Sequence, residues 1–328
     1  MANNNFKPFA AAGGANVMAQ ADYEALAALL TGFQSGTAKS DQLNKVWRQS
    51  SIMAAVLAQF IVDLTGQDAI DDGTTATLLA NLKMAVQAQS AAVVGQARNL
   101  TMSVTAASST ATLNADEIIV GSSLGGQKYL LKQFSKTINL AAAGAGGMDT
   151  GTAPASGYVA LYAIYNPVTG ASALLATDAT PARVPEVYGG ANMPSGFTAS
   201  ALVSVWPTDS SRRFIIGYQR ERKISFSYSL VLSTTSVVST PMSLSIASTI
   251  PKNANRANFH AGITSSTSQN LFLNVYSDSS QAGFIGGGAV TTNFAYSGDI
   301  MIVTPQTIWY TTGTTSATFQ LFVDGYDF

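Results

Sequence analysis

The sequence predicts an α+β chain of several domains. A helical N-terminal region, built as a trimeric coiled coil or a bundle, precedes antiparallel β domains that end in a β-sandwich or jelly roll. Three observations predict this. Apolar residues recur every three or four positions up to about residue 88, and every second position after Arg98. Turn residues then punctuate the chain at short intervals, as they do between antiparallel strands. Charge is scarce: 17 basic and 18 acidic residues make 11% of 328, against about 25% in an average domain. It falls further at the end, where residues 224–328 hold 2 basic, 4 acidic and 32 Ser or Thr residues. Joints near residues 98 and 224 therefore divide the chain into 1–98, 99–223 and 224–328.

Residues 1–18 mix Asn, Pro, Gly and Ala without a period, so an extended arm is expected. A short helix follows at about 21–31, with Asp22 as its cap and Gly32 as its stop. Ser40 offers an N-cap for a long helix. Along that helix Leu43, Val46, Ser50, Met53, Leu57, Phe60 and Leu64 are spaced 3-4-3-4-3-4, and only Ser50 breaks the apolar series. Gly66 is placed to end it in a left-handed conformation. Such a series is either a seam between identical chains or one face of an intrachain bundle. Trp47, Val56 and Ile61 widen the stripe as a bundle helix does, and three chains packing helical hairpins around one axis would satisfy both patterns. Asp71 to Thr75 forms a turn and cap, and a further helix runs over about 76–88 with Leu78, Leu79, Leu82 and Val86 on its buried stripe.

Beyond Arg98, Leu100, Met102 and Val104 alternate with Thr101, Ser103 and Thr105, the signature of a half-buried strand. Further strands are expected at 117–121, 128–134, 157–165, 199–206 and 213–219. In the last region Ile224 to Ser229 and Met242 to Ile246 alternate. Leu271 to Tyr276, Met301 to Val303 and Ile308 to Tyr310 form apolar strand cores. Gly144-Ala-Gly-Gly147 reads as a mobile turn and Gly286-Gly-Gly288 as a loop. The chain is aromatic to its last residue, Phe328, so its C-terminus is expected to pack as a closing strand.

These counts exclude several functions. A net charge of −1 gives no long-range attraction to nucleic acid or an anionic membrane. With no cysteine there is no disulfide, thiolate metal site or thiol nucleophile. The longest clean apolar run, Tyr158 to Tyr165, falls short of the ~20 residues of a spanning helix, and the N-terminus lacks a signal pattern. A soluble chain with no membrane insertion and no standard secretion is expected.

One histidine leaves few routes to triad or metal chemistry. His260 would need convergence on a three-fold axis to bind a metal; a partly buried ring with one backbone hydrogen bond is the simpler expectation. Glycan hydrolysis needs two carboxyls about 5–10 Å apart. Asp71-Asp72 is explained as a cap, Asp116-Glu117 would point to opposite faces of a strand, and Asp324 and Asp327 sit at a strand end. Gly144-Ala-Gly-Gly147 is followed by no helix and so makes a poor phosphate cradle. Ser-His catalysis lacks a nucleophile-elbow motif. Arg212-Arg213 and Arg220-Glu221-Arg222-Lys223 form the basic cluster, expected as a solvated, partly self-neutralised face. No enzyme, metal or cofactor is expected. Of the aromatics in the last region, Phe284 and Tyr296 lie near Gly-rich turns and are the expected loop-borne contact residues.

Phe6-Lys-Pro-Phe9, Gly14-Ala-Asn-Val17, Gln20-Ala-Asp-Tyr-Glu-Ala-Leu26, Gly32 to Ser40 and Asn44-Lys-Val-Trp-Arg-Gln-Ser50 resemble the N-terminal segment of tail-fibre proteins of tailed bacteriophages and prophages. Gly144 to Gly151, Leu161 to Gly170 and Met193-Pro-Ser-Gly-Phe197 continue the likeness, which loosens after residue 224. The resemblance implies a homotrimeric virion protein, assembled in the host cytoplasm and carried on the phage tail. Its N-terminal region, with Phe6, Pro8, Phe9, Asn16 and Val17, would attach to tail or baseplate proteins. Its trimer seam would hold Leu43, Val46, Met53, Leu57, Phe60 and Leu64. Its C-terminal head would bind a host-surface glycan or outer-membrane protein, with Phe284 and Tyr296 as contacts. A tail connector without receptor binding and a glycan depolymerase are the alternatives.

Overall fold

The computed structural model describes residues 2–88, 92–313 and 315–328. Most of it is antiparallel β-sheet, preceded by a few helices, and the chain divides into the units Met1–Ala91 and Ala92–Phe328.

The first unit holds α1 (Gln20–Glu24), α2 (Ala28–Thr31), α3 (Ser40–Thr65) and α4 (Ala76–Ala88). The single helix expected over 21–31 is broken into α1 and α2. Neither piece buries a residue, so no packing holds the segment in one helix. The N-cap of α3 is Lys39, not Ser40. Lys39 is extended while Ser40 is already helical, and the Ser40 hydroxyl accepts a bond from Asn16 Nδ2 at 2.9 Å. Gly66 ends α3 as expected, with φ 66° and its N–H on the Val62 carbonyl. α4 buries Asn81 and Ala85, while Leu79 and Val86 of its expected stripe are exposed.

The N-terminal arm is extended and lies along α3, antiparallel to it. Asn5 N–H donates to the Ala69 carbonyl beyond the helix end, and Phe9 N–H donates to Ser51 Oγ at 2.8 Å. Met18 N–H reaches the Asp41 carbonyl near the helix start. The Phe9 ring meets Trp47 edge-on, with centroids 5.7 Å apart.

The second unit is one sheet. Its first half contains β1 (Ala97–Arg98), β2 (Thr101–Val104), β3 (Thr110–Gly121), β4 (Lys128–Asn139), β5 (Tyr158–Tyr165), β6 (Ser172–Asp178) and β7 (Ala199–Pro207). Then come β8 (Gly217–Arg220), β9 (Lys223–Thr234), β10 (Val238–Ser245), β11 (Arg256–Tyr276), β12 (Ile285–Met301), β13 (Thr307–Thr312) and β14 (Ala317–Asp327). The order is β10-β13-β11-β14-β9-β8-β2-β3-β7-β5-β6, with β1 and β4 also on β3 and β12 on β11.

β5 and β7 are apolar almost throughout and buried along nearly their whole length, so both their faces are covered. Three buried or part-buried side chains tie β5 and β7 to other parts of the unit. Tyr326 Oη on β14 donates to the Val205 carbonyl on β7, Gln219 Nε2 on β8 to the Val203 carbonyl, and Tyr158 Oη on β5 to the Ala247 carbonyl. The C-terminus is packed: β14 lies between β11 and β9, and Phe328 is 4% exposed.

Four expectations change. The joint placed near residue 224 is a hairpin turn: β8 and β9 pair from Gly217↔Phe226 to Arg220↔Lys223 across Glu221-Arg222, so one ladder runs through it. Gly286 to Gly288 lie inside β12, paired with Phe272 to Asn274. A Cβ on Gly287 would stand 2.8 Å from the Phe294 ring, so glycine here makes room for aromatics instead of forming a turn. Gly144 to Gly147 do turn the chain, but their backbone is engaged: Gly146 N–H donates to the Leu174 carbonyl and Gly147 carbonyl accepts from Ala176. β6, which carries both partners, was not expected. Among the described residues no helix is long and apolar enough to cross a membrane.

Candidate functional site

An open groove of about 610 Å³ lies on the outer side of β2, β3 and β8. Strand alternation builds it. Met102, Leu113 and Gln219 point into the protein and are buried, which turns Thr101, Ser103, Thr112, Asn114, Tyr218 and Arg220 outward. Register brings them together: Ser103 lies opposite Tyr218, and Thr101 lies opposite both Arg220 and Asn114. β4 adds Thr137, whose hydroxyl is 2.8 Å from that of Thr112, and Ser135, which donates to Asn114 Oδ1 at 2.7 Å.

Tyr218 is 67% exposed, an upright ring on a floor of small polar side chains. Arg220 supplies the one charge of the lining. Its cross-strand neighbour on the same face is Lys223, and among the described residues neither makes an ion pair. Among the described residues no carboxylate lines the groove. The nearest along β3 is Asp116, which accepts a hydrogen bond from Asn99 Nδ2 at 2.6 Å. The arrangement can offer hydroxyl and amide hydrogen bonds, an aromatic face and positive charge to a polar ligand.

The residues expected to act in attachment and recognition lie elsewhere. Phe6 and Val17 are half-buried, while Pro8, Phe9 and Asn16 are exposed on the arm, and Asn16 is bonded to Ser40 and Asn44. Of the α3 seam, Leu43, Val46, Phe60 and Leu64 are half-buried, whereas Met53 and Leu57 are 60% and 48% exposed. Ile52 and Val56 are exposed beside them.

Phe284 lies in the loop just before β12, 60% exposed, with its ring 5.8 Å from Tyr276. Tyr296 is not loop-borne. It sits within β12, packs on Phe259 and Phe294, and donates its hydroxyl to the Leu273 carbonyl at 2.6 Å. Burial pushes its hydroxyl far above the ordinary tyrosine range.

The charged candidates are mostly occupied. Asp72 accepts from the hydroxyl and the N–H of Thr74, which holds its carboxyl below the usual value and closes a turn ahead of α4. Asp116 and Glu117 are both exposed, in a ladder with β4 whose register runs unbroken from Ala115↔Phe134 to Glu117↔Lys132. His260 is exposed, with Nδ1 3.0 Å from Ser297 Oγ on the neighbouring strand, so its partner is a side chain and not the backbone. Among the described residues no cluster of His, Asp or Glu is grouped to hold a metal ion. The basic cluster is divided: Arg213 pairs with Asp209, and Arg222 grips Glu186 with both terminal nitrogens while its guanidinium stacks 5.3 Å from the Phe328 ring.

No family model matches the chain, and no curated protein matches it as a relative. The groove was not anticipated from the sequence. Its signal was the alternation Gly217-Tyr-Gln-Arg220, in which an aromatic and a cation share the outward parity.

Proposed function

We propose that the chain is a subunit of a phage or prophage tail fibre. In this reading it is homotrimeric, attaches to tail or baseplate proteins through residues 1–98, and meets the host surface with its β-rich part. It acts by binding, not catalysis. The observation that carries this reading is the uncovered stripe of α3. Met53 and Leu57, two members of the regular 3-4 series, are exposed in the single chain together with Ile52 and Val56. Exposed apolar side chains at seam spacing are what identical helices bury against one another. The low charge and the abundance of Ser and Thr suit a surface that makes adaptable hydrogen bonds outside the cell.

The depolymerase alternative gains nothing from the groove, which among the described residues holds no carboxylate. The connector alternative differs only in whether host cells are bound. Labelled full-length chain, with its oligomeric mass determined first, is added to a panel of bacterial strains with and without competing phage. Saturable binding to the strains the phage infects, reduced by the phage, is the expected result. A folded trimer that binds none of them overturns receptor recognition and leaves a tail connector.

A further inference from the structure

We propose that the groove across β8, β2, β3 and β4 is a binding site for an acidic oligosaccharide, one bearing carboxylate or phosphate groups. The host surface as its source rests on the tail-fibre reading; the chemistry of the site does not.

Three features of the groove converge on that class. The lining offers neutral donors and acceptors from Thr101, Ser103, Thr112, Asn114 and Thr137, spread over three adjacent strands. Short hydroxyl and amide groups match the hydroxyls of a sugar and lose little entropy when ordered. Tyr218 places an exposed phenol ring above this floor, and an aromatic face accepts the C–H face of a pyranose while its hydroxyl stays in water.

The third feature is charge. Arg220 and Lys223 are cross-strand neighbours, exposed on one face, with no ion pair among the described residues. Like charges set opposite each other destabilise a sheet. Here they occur in a chain where only 11% of residues are charged. Asp327 of β14 lies opposite Lys223 and offsets that charge, so the anion is seated by Arg220, whose guanidinium gives charge-assisted, bidentate hydrogen bonds. An acidic peptide would meet the same cations. It would leave most of the hydroxyl floor unmatched, and the floor is the larger part of the lining.

The test is a panel of immobilised saccharides probed with the full-length chain: uronate-bearing, phosphate-bearing and neutral oligosaccharides, plus an acidic peptide. Binding is expected to one or both acidic groups and to weaken with added salt. Arg220→Gln and Tyr218→Ala are each expected to reduce it roughly tenfold, the equivalent of one charge-assisted contact, while Val168→Ala, at an exposed position outside the groove, leaves it unchanged. Among the described residues no side-chain hydrogen bond engages Tyr218 or Arg220, so both variants keep the wild-type circular dichroism.

The uronate and phosphate arms separate the two sources of charge. Binding to neutral saccharides or peptide alone, no binding at all, or binding untouched by both groove variants overturns the proposal. Cell adhesion measured in parallel keeps the two readings apart. Adhesion without acidic-saccharide binding sinks the groove alone, and saccharide binding without adhesion sinks receptor recognition alone.

Discussion

Tyrosine residues hold the second unit together through hydroxyls that must stay protonated. Tyr326 is fully buried and donates to Val205, while Tyr158, Tyr162 and Tyr296 donate to the carbonyls of Ala247, Pro185 and Leu273. Burial raises all four above the ordinary value near 10. Each is an acid whose neutral form the fold favours. The folded chain therefore keeps protons that the unfolded chain releases above about pH 10, and stability is lost as pH rises past that point. Urea midpoints are expected to fall between pH 9 and pH 11, and to fall less in Tyr326→Phe. That variant is also less stable at pH 8 by about 1–2 kcal/mol, because the Val205 carbonyl loses its buried donor. Equal midpoints at pH 9 and pH 11 would contradict the argument. Single residues of this kind were hard to read from the sequence. Tyr296 looked like a loop aromatic because three glycines precede it by eight to ten positions, and nothing local reveals that those glycines sit in a strand facing the rings they accommodate.

Periodicity fixed most elements and failed where it was blunted. α3 was legible because its 3-4 spacing persists to a glycine that ends it, and β5 and β7 because apolar runs of that length, bounded by turn residues, make buried strands. β12 was illegible because Gly, Ala, Thr and Ser alternate with only weak contrast, and its place is set by the neighbouring β11, a long-range partner. The same limit hid the groove, which register assembles from four strands. For α3 the pattern carries a consequence the single chain does not use. Met53→Asp with Leu57→Asp changes two exposed side chains, so the helix itself should lose less than about 1 kcal/mol. A seam between chains would lose about 1.5–3 kcal/mol of apolar burial at each position. Sedimentation at micromolar concentration is expected to show trimer for the wild type and single chain for the double variant, with helix content at 222 nm largely kept in each. An unchanged trimer in the double variant would place the assembly surface elsewhere.

The two units of the chain differ greatly in what they bury. The β unit has a continuous core from Val94 to Phe328, including Trp206, Phe214, Phe259, Phe319 and Tyr326. Among the described residues the buried apolar side chains of the helical unit are Ala58, Ile61, Ala69 and Ala85. Three alanines and one isoleucine remove little apolar area from water. Chain entropy opposing the fold amounts to about 1–2 kcal/mol for each ordered residue, so such a core leaves the helical unit close to unstable by itself. What it lacks in core it carries as exposed Ile52, Met53, Val56, Leu57, Leu79 and Val86. If those side chains are covered by other copies, stability becomes a function of protein concentration. Heating should then give two transitions: an early loss of helix at 222 nm whose midpoint rises several degrees when protein is increased a hundredfold, and a later β transition seen in the near-ultraviolet. A hundredfold increase in a trimerising chain supplies about 5.5 kcal/mol per trimer, twice RT ln 100, because two association steps gain from it. A helix transition independent of concentration would mean that the first unit is held by its own arm and turns, and that the stripe on α3 awaits a different partner.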